Sequence, residues 1–281
     1  MAQIVSGSKI AQSIYRRLST KVANLKQKGI TPKLGVILVG NDLPSQIYVR
    51  KKGQSAKKIG VGFMLKNYPA SITTDKLVKE VKKYQQAKYK LTGLIVQLPL
   101  PKKINTGKVL EAVNTDIDVD CLTQKNLGKL ITGSYKIEPP TPGAIIEILK
   151  YHKVNLKGAK VCMVGAGQLI GKPLTNLLMN ELATVTVCNY LTKNIKKYTL
   201  AADIVVTGVG KHNLLKGSMI KKNAVIVDGG VCFVKGKMYG DIHFVSVSKK
   251  ASLVTPTPGG VGPLTVAKLI ENTVICAENN K

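Results

Sequence analysis

The sequence predicts an α/β protein of two domains built on parallel sheets. In both halves, short apolar runs typical of buried strands alternate with segments that carry apolar residues every three or four positions, as amphipathic helices do. A proline-rich segment, residues 138–143, separates the two series. The length of 281 residues is enough for two domains of ordinary size. We therefore expect one α/β domain on each side of this segment.

The first half begins with an apolar stripe at helical spacing between residues 10 and 25. Gly29 follows it, so the pattern predicts an amphipathic helix with a glycine stop. The further elements predicted in this half are a strand at 31–40, a helix at 45–60 capped by Ser45, a strand at 62–69, a charged helix near 75–89 and a buried strand at 93–101. This alternation favours a parallel sheet covered by helices.

The second half repeats the alternation with shorter strands. The predicted elements are a helix at 144–153, a strand at 159–165, a helix at 169–180, strands at 184–189, 202–210 and 223–230, and a glycine-proline loop followed by a C-terminal helix. Several buried strands separated by helices are typical of the doubly wound folds that bind dinucleotides. We therefore expect the nucleotide site, if there is one, in this half.

The net charge of +28 makes nucleic-acid binding a hypothesis to consider. Lysine supplies 40 of the 43 basic residues and is spread over nearly every segment, whereas base readout relies on arginine. Aromatic residues make up 5% of the chain and tryptophan is absent, which disfavours single-strand binding by stacking. We expect a lysine-rich surface that attracts anionic small molecules, and no nucleic-acid partner.

No apolar run is long enough to cross a membrane, and the N-terminus lacks the apolar stretch of a signal peptide. The sequence thus favours a cytoplasmic protein with no membrane partner. The five cysteines are scattered and lack C-x-x-C spacing, and the three histidines form no cluster with ligand spacing. We expect neither structural disulfides nor a metal site.

A glycine loop follows one of the most strand-like runs of the second half. Gly165, Ala166, Gly167 and Gly171 lie between a predicted strand and a predicted helix, which is the setting of a dinucleotide fingerprint. Glycines let the backbone approach a pyrophosphate, and the helix N-terminus supplies N–H donors. The spacing is one residue longer than the standard form, and a plain strand–helix turn is the alternative.

The end of the next strand bears on the choice of cofactor. A site that prefers NAD usually carries an acidic residue there, about 20 residues after the loop, to bind the ribose hydroxyl. Here Cys188, Asn189 and Tyr190 occupy this place, and Lys193, Lys196 and Lys197 come next. The absence of a carboxylate favours NADP over NAD.

Candidate catalytic residues occur in the first half. Tyr48 and Lys52 are four residues apart on a predicted helix, so both project from one face, where a ring and an amine suit a flat heteroaromatic substrate. Gln97 ends a buried strand, where open parallel sheets bind ligands. Asp118 and Asp120 face the same side if their segment is extended, and a carboxylate there could bind an aminopyrimidine edge. Three alternatives stay open. Tyr48 and Lys52 could lie on an ordinary, partly exposed helix face, Gln97 could be a polar residue with its hydrogen bonds satisfied at a strand edge, and the aspartates could merely cap a loop.

Together these residues resemble the methylenetetrahydrofolate dehydrogenase/methenyltetrahydrofolate cyclohydrolase family, nearly from end to end. The stretches that carry the resemblance are VGNDLPSQIYVRKK, GLIVQLPLP, DVD with a downstream NLGKL, PPTP, LIGKP, ATVTVCN, ADIVVTGVGK, VDGG, GDI and TPTPGGVGPLT. The S-x-x-Y-V-x-x-K, VQLPLP and PGGVGPxT stretches, in this order, are highly specific to the family.

The resemblance implies an N-terminal three-layer α/β substrate domain and a Rossmann-like, doubly wound domain, with the catalytic cleft between them. Residues 1–140 and the C-terminal helix at about 264–281 would form the first domain, and residues 141–263 the second. It also implies a homodimer that acts in one-carbon metabolism and purine biosynthesis.

The resemblance assigns roles to individual residues. The catalytic set is Lys52, with Gln97 as its hydrogen-bonding partner, and Asp120, which would bind the pterin. The folate-binding set is Tyr48, Lys52, Gln97, Leu98, Pro99, Asp120, Pro258, Gly259, Gly260, Val261 and Gly262. The cofactor-binding set is Gly165, Ala166, Gly167, Tyr190, Gly210, Val231 and Thr265. No metal is implied.

The chain departs from the family pattern at several positions. Ala166 and Gly167 replace a frequent Arg-Ser pair, and Tyr190 replaces a serine, which weakens the expected 2′-phosphate site and keeps NAD as an alternative. Cys121 stands where a glycine usually follows D-V-D, and Pro140 replaces a cysteine.

The expected function is therefore oxidation of 5,10-methylenetetrahydrofolate with NADP, followed by hydrolysis of the methenyl product to 10-formyltetrahydrofolate. Positioning of substrate and cofactor dominates the first step, whereas the second needs proton transfer, for which Lys52 is the candidate. The alternatives are a dehydrogenase without cyclohydrolase activity and a lysine-rich nucleic-acid-binding protein.

Overall fold

The structure is a computed structural model that describes residues 1–279. The chain divides into two compact units. Unit one contains Ser13–Pro140 together with the described residues from Val266 onward, and unit two contains Met1–Gln12 and Thr141–Thr265.

The predicted strands and helices are present, together with short elements that the sequence analysis did not predict. The strands are β1 (Gln3–Ile4), β2 (Lys33–Val39), β3 (Gly62–Tyr68), β4 (Gly93–Val96), β5 (Lys160–Val164), β6 (Thr184–Cys188), β7 (Ile204–Thr207), β8 (Val225–Asp228), β9 (Cys232–Val234), β10 (Lys237–Tyr239) and β11 (Leu253–Val254). The helices are α1 (Gly7–Gln27), α2 (Leu43–Lys58), α3 (Thr74–Tyr84), α4 (Thr106–Leu110), α5 (Gln124–Ile131), α6 (Pro140–Tyr151), α7 (Gly171–Asn180), α8 (Ile195–Ala201), α9 (Phe244–Ser248) and α10 (Val261–Asn279).

Unit one is built on a three-stranded parallel sheet in the order β3-β2-β4. On one face, Ile37 of β2 packs with Leu77 and Val81 of α3 in a buried apolar cluster. On the other face, α2 approaches β3 so closely that a Cβ atom at Gly53 would lie 2.9 Å from the ring of Phe63. Helices therefore cover both faces, and unit one has the expected three layers.

The helix α2 begins earlier than the sequence predicts. Asp42 caps it, because its Oδ2 accepts hydrogen bonds from the backbone N of Ser45 at 2.9 Å and from the Oγ of Ser45 at 2.6 Å. The prediction of Ser45 as the cap is wrong, since an aspartate three residues earlier satisfies the free N–H groups of the first turn.

Unit two is built on a six-stranded parallel sheet in the order β1-β11-β8-β7-β5-β6. The central strands β5, β7 and β8 are almost wholly buried, as expected for a sheet covered on both faces. The order reverses direction between β5 and β7, which makes a switch point of the kind where doubly wound sheets bind ligands.

The grouping of the N-terminal residues differs from the predicted domain boundary. Strand β1 pairs in parallel with β11, so Met1–Gln12 belongs to unit two and not to the unit that follows it in sequence. A strand of two residues carries too little pattern to be predicted from sequence. Within residues 1–279, no helix is both long and apolar enough to span a bilayer.

Candidate active site

The candidate active site of unit one is centred on Lys52. This residue lies on the buried face of α2, and only 8% of its surface is exposed. Its Nζ donates a hydrogen bond to Oε1 of Gln97 at 2.9 Å. Tyr48 lies one helical turn earlier and is half-buried. The predicted pairing of Lys52 with Gln97 is therefore present in the structure.

Gln97 follows β4 directly, and its own contacts fix the direction of its amide. The backbone N of Gln97 donates to the carbonyl oxygen of Ile37 at 2.8 Å, which anchors the residue to the neighbouring strand. Its Nε2 donates to the carbonyl oxygen of Leu98 at 2.7 Å. Because the amide nitrogen is occupied in this way, the amide oxygen faces Lys52.

The electrostatics of the site favour proton exchange at Lys52. Burial lowers the pKa of Lys52, because an ammonium loses hydration inside the protein, and the negative charge of Asp120 opposes this shift only in part. Burial likewise raises the pKa of Asp120, against the positive charge of Lys52. Gln97 supplies a hydrogen-bond acceptor without a charge, so it orients the amine without restoring an ordinary pKa.

The two aspartates of the D-V-D stretch play different parts. Asp118 is buried, and its Oδ2 accepts hydrogen bonds from the backbone N of Thr123 at 2.9 Å and from Nδ2 of Asn126 at 3.1 Å. Asp120 is partly exposed, and among the described residues none donates a hydrogen bond to its carboxylate. Asp118 thus stabilises the loop, whereas Asp120 is available to a ligand.

The prediction that both aspartates face one side is wrong, because the segment is not extended. The backbone N of Cys121 donates to the carbonyl oxygen of Asp118 at 3.0 Å, which closes a turn. Cys121 itself has a φ of 57°, in the left-handed region that favours glycine. This backbone geometry suits the glycine that the family resemblance leads us to expect at this position.

Other predicted folate-site residues of unit one lie close in sequence to Gln97. Leu98 is half-buried and Pro99 is exposed, directly after the end of β4. Burial raises the pKa of Tyr48 further above neutral pH, and its hydroxyl is neutral at physiological pH.

Among residues 1–279, no three His, Cys, Asp or Glu side chains are grouped to hold a metal ion, and all five cysteines are free.

The remaining predicted folate-site residues belong to unit two or to the start of α10. Pro258 and Gly259 are exposed in the loop after β11, and Gly259 has a φ of +108°. The backbone N of Gly260 donates to the carbonyl oxygen of Pro256 at 2.9 Å, which closes this loop. Val261 and Gly262 then form the first turn of α10 rather than loop.

The glycine loop of unit two joins β5 to α7, as predicted. Gly165 has a φ of +113°, and a Cβ atom there would lie 2.7 Å from the carbonyl oxygen of Gly208. A Cβ atom at Gly171 would lie 1.9 Å from the carbonyl oxygen of Gly165, so only glycine allows the helix to start so near the loop. Gly167 is exposed, and a Cβ atom there would meet nothing within 4 Å.

This loop has the form of a phosphate cradle. Its two tightly packed glycines hold the backbone in place, while Gly167 leaves open space in front of the N-terminus of α7. The residues present therefore fit the pyrophosphate of a dinucleotide.

Other predicted cofactor residues lie at the same edge of the sheet. Tyr190, Gly210 and Val231 follow the carboxyl ends of the parallel strands β6, β7 and β8, and all three are exposed. Thr265 lies on α10, and its Oγ1 is 3.3 Å from Oγ1 of Thr141. The structure therefore brings the glycine loop and the ends of three further strands together.

Two buried aspartates that the sequence analysis did not single out organise this edge. Asp241 accepts hydrogen bonds from the backbone N of Val209 and of Lys211, both at 2.7 Å, and so holds the loop that contains Gly210. Asp228 accepts from Oγ1 of Thr207 at 2.8 Å. The sequence feature that could have pointed to Asp228 is its place at the end of a predicted strand and before two glycines, in the VDGG stretch.

The aspartates lie close enough to affect one another. Burial and the nearby charge of Asp241 raise the pKa of Asp228 to about 6. A Cβ atom at Gly230 would lie 2.2 Å from the carboxylate of Asp241, so only a glycine fits at this position.

The departure from the family pattern at Pro140 is also accommodated. Pro140 is the first residue of α6, where a proline needs no N–H partner.

Two models of the same protein family match the chain, one in each half. Residues 5–120 match the family model described as tetrahydrofolate dehydrogenase/cyclohydrolase, catalytic domain. Residues 139–281 match the model described as tetrahydrofolate dehydrogenase/cyclohydrolase, NAD(P)-binding domain. These matches cover most of the chain.

Individual relatives match over the whole length. The chain is 43% identical over 277 residues to the bifunctional protein FolD of Nautilia profundicola, covering 98% of this chain and 97% of the relative. It is 41% identical over 278 residues to bifunctional protein FolD of Bacillus subtilis, covering 99% and 98%.

Solved structures agree with these relatives. The bifunctional FolD enzyme of Campylobacter jejuni superposes with a TM-score of 0.97 at 36% identity and covers all of both chains. The Trypanosoma brucei FolD enzyme, in complex with NADP and an inhibitor, gives a TM-score of 0.95 at 34% identity, covering 99% of this chain and 98% of that one. The predicted fold class and family resemblance are confirmed. The chain therefore belongs to the tetrahydrofolate dehydrogenase/cyclohydrolase family and is a bifunctional enzyme of one-carbon folate metabolism.

Proposed function

We propose that unit one binds the folate and carries out proton transfer at Lys52, while unit two binds NADP. The observation that carries the proposal is the buried Lys52 held by the oriented amide of Gln97, with the unpaired carboxylate of Asp120 nearby. In this proposal the chain oxidises 5,10-methylenetetrahydrofolate and hydrolyses the methenyl product to 10-formyltetrahydrofolate.

The cradle formed by Gly165, Gly167 and Gly171 would hold the pyrophosphate, with Ala166, Gly210, Val231 and Thr265 around the rest of the cofactor. NADP, when bound, accepts the hydride of the substrate. The NADP preference is supported by the end of β6, where Asn189 and Tyr190 stand in place of an acidic residue and lysines follow. The NADP complex of the Trypanosoma brucei relative supports the same choice.

In the dehydrogenase step the protein mainly positions its substrate. The ring of Tyr48 would pack against the folate, and the carboxylate of Asp120 would accept hydrogen bonds from the amino-pyrimidine edge of the pterin. Leu98 and Pro99 would complete the folate contacts of unit one, and the family resemblance also assigns the residues from Pro258 to Gly262 to the folate. A lone pair on a folate nitrogen drives the oxidation, so no protein base is needed at the reacting carbon.

In the cyclohydrolase step a proton must move. Water attacks the methenyl carbon, and the neutral amine of Lys52 accepts a proton from that water as the new C–O bond forms. The ammonium then gives the proton to the folate nitrogen at position 5 as its bond to the one-carbon unit breaks. The remaining hydroxyl proton passes to solvent water as the C=O bond forms, which leaves the formyl group on the nitrogen at position 10. Burial favours the neutral amine that starts the cycle.

Two assays of the purified chain test this proposal. With methylenetetrahydrofolate, we expect saturable reduction of NADP, with a higher kcat/KM than for NAD. With methenyltetrahydrofolate, we expect loss of its absorbance above the rate in buffer. Failure of both reactions would refute the proposal, whereas a preference for NAD would correct the cofactor alone.

We also propose a homodimer in the cytoplasm, with no nucleic-acid partner and a role in purine biosynthesis. The family resemblance supports the dimer and the metabolic role. The dispersal of the lysines over nearly every segment supports a solvated surface rather than a nucleic-acid footprint.

A further inference from the structure

A cavity of about 680 Å³ lies in unit one, between α2 and the sheet strands β2 and β3. None of Tyr48, Lys52, Gln97 and Asp120 lines it. Arg50 does line it, and on a helix this residue lies about 200° around the axis from Lys52. The other residues of α2 that line it are Gln46, Val49, Gly53, Gln54 and Lys57, so the cavity lies along one flank of the helix and does not include Lys52.

The floor of the cavity is apolar and partly open. Leu38, Phe63 and Leu65 line it from the sheet. In register, Leu65 pairs with Val36 and Phe63 with Leu34, so these side chains share the sheet face that α2 covers. Leu65 is nevertheless 39% exposed. The helix thus leaves part of this apolar face uncovered, with an aromatic ring at its border.

The walls of the cavity carry polar groups that have no partner within the protein. Tyr68 also lines the cavity, and its hydroxyl donates a hydrogen bond to Glu80. The other polar side chains that line it are those of Asn41, Gln46, Arg50, Gln54, Lys57 and Asn67. Within residues 1–279, none of these six side chains makes a hydrogen bond or an ion pair. Two of them are cations, and no carboxylate lines the cavity. The walls therefore offer positive charge and amide groups to a ligand.

We propose that this cavity binds a small organic anion that combines a flat ring with a phosphate or carboxylate group. The ring would lie on Phe63 and Leu65, the anionic group would bind Arg50 and Lys57, and the amides would contact polar substituents of the ring. The volume is in the range of small-molecule sites, roughly 300–1,000 Å³. The cavity also includes the segments that follow the carboxyl ends of β2 and β3, where open parallel sheets bind ligands.

Methyl-labelled NMR of the full-length protein tests the proposal with naphthyl phosphate as the probe. We expect saturable shifts of the methyl signals of Leu38, Val49 and Leu65, which line the cavity. Inorganic phosphate alone and naphthol alone should each bind at least about tenfold more weakly. The absence of saturable shifts at these methyls, or equal binding of phosphate alone, would overturn the proposal.

Variants separate this site from general attraction to a basic protein. Arg50→Ala/Lys57→Ala should weaken probe binding about tenfold or more. Leu65→Trp, which fills the floor, should do the same while keeping both charges. The matched control Lys58→Ala/Lys76→Ala removes two charges from unit one outside the cavity and should leave affinity unchanged. Equal weakening in the control would show nonspecific attraction and overturn the proposal.

A variant of the candidate active site separates this site from the folate site. Lys52→Met should leave the probe shifts of Leu38, Val49 and Leu65 in place, because Lys52 does not line the cavity. Loss of the saturable shifts in a folded Lys52→Met protein would overturn the proposal. The readout is binding rather than turnover, so the result is independent of whether the proposed catalytic roles are correct.

Discussion

The two candidate sites of this enzyme differ in whether side chains or the backbone form them. At Lys52 and Gln97, side chains form the site, and their hydrogen bond of 2.9 Å joins residues 45 positions apart in sequence. At Gly165 and Gly171, the backbone forms the site, and what matters is the absence of a side chain. The first site depends on the charge and proton affinity of its side chains. The second site depends on the close approach of backbone segments that a side chain would prevent.

This difference determines how each site can fail. A side-chain site can lose its chemistry while the fold persists, because replacing one buried polar group by another of similar volume preserves packing. A backbone site loses its fold when a methyl group is added at a tightly packed glycine, because there is no room for it. The substitutions below distinguish these two kinds of failure.

The largest effect is expected for Gly171→Ala. The new Cβ atom would lie 1.9 Å from the carbonyl oxygen of Gly165, so the start of α7 must move. We expect a loss of about 3 kcal/mol or more in the free energy of unfolding, together with loss of NADP binding. Thermal unfolding and NADP titration measure both quantities.

Gly167→Ala is the matched control within the same loop. A Cβ atom there meets nothing within 4 Å, so the free energy of unfolding should change by less than about 0.5 kcal/mol. If Gly171→Ala is as stable as Gly167→Ala, the close packing of the loop does not support the site.

A smaller effect, confined to one activity, is expected for Gln97→Glu. A carboxylate beside Lys52 stabilises the ammonium and so raises the lysine pKa, against the lowering by burial in the wild type. Because the neutral amine is the active form, cyclohydrolase activity should rise with pH in both proteins, and in the variant at higher pH. An opposite charge at this distance shifts a pKa by about 1–3 units, which predicts about 10- to 1,000-fold less activity at neutral pH.

The pH profile of methenyltetrahydrofolate hydrolysis measures this shift. A purely structural role of Gln97 predicts a lower rate with the same pH dependence. An unshifted profile would therefore contradict the proposed contact between position 97 and the reacting amine.

The smallest effect is expected for Asp241→Asn in unit two. An asparagine keeps one acceptor oxygen and points its amide N–H₂ at one of the two backbone N–H groups of Val209 and Lys211, so the loop around Gly210 loosens. We expect the KM for NADP to rise about tenfold, with hydrolysis of methenyltetrahydrofolate unchanged because that reaction uses no cofactor.

The control for Asp241→Asn is Asp203→Asn. Asp203 is a surface residue of the same unit that pairs with Lys221 at 2.5 Å. Exposed ion pairs contribute little, so the KM for NADP should stay the same. Equal KM values in both variants would mean that Asp241 does not position the cofactor loop.

The sequence predicted the periodic elements well and the local contacts less well. Apolar runs indicated the strands β2 to β8, because a parallel strand buried on both faces is a continuous apolar run. The strand β6 was expected to be buried, but it is mostly exposed at the edge of its sheet. The pairing of β1 with β11 was missed, since two residues carry no periodicity. The turn at Asp118 was also missed, because its backbone hydrogen bond and the positive φ of Cys121 are set by contacts that spacing does not encode.

The candidate site residues were also predicted only in part. Tyr48 and Lys52 could be paired from helical spacing alone, but the contact with Gln97 depends on how β4 lies beside α2 and needed the family resemblance. Asp228 and Asp241 passed without a role in the sequence analysis. Asp241 accepts a hydrogen bond from the backbone N of Val209, and Asp228 accepts one from the backbone N of Ile242, and no local pattern predicts contacts over such sequence distances.

The most direct test of the account is the pair of activities of Lys52→Met, with Lys58→Met as the control. A methionine fills a similar buried volume but cannot transfer a proton, so hydrolysis of methenyltetrahydrofolate should fall about 10²- to 10⁴-fold. Reduction of NADP by methylenetetrahydrofolate should stay within about tenfold of the wild type, because that step depends on positioning, and thermal unfolding should be unchanged. Wild-type hydrolysis in a folded Lys52→Met protein would contradict the central claim that Lys52 moves the proton.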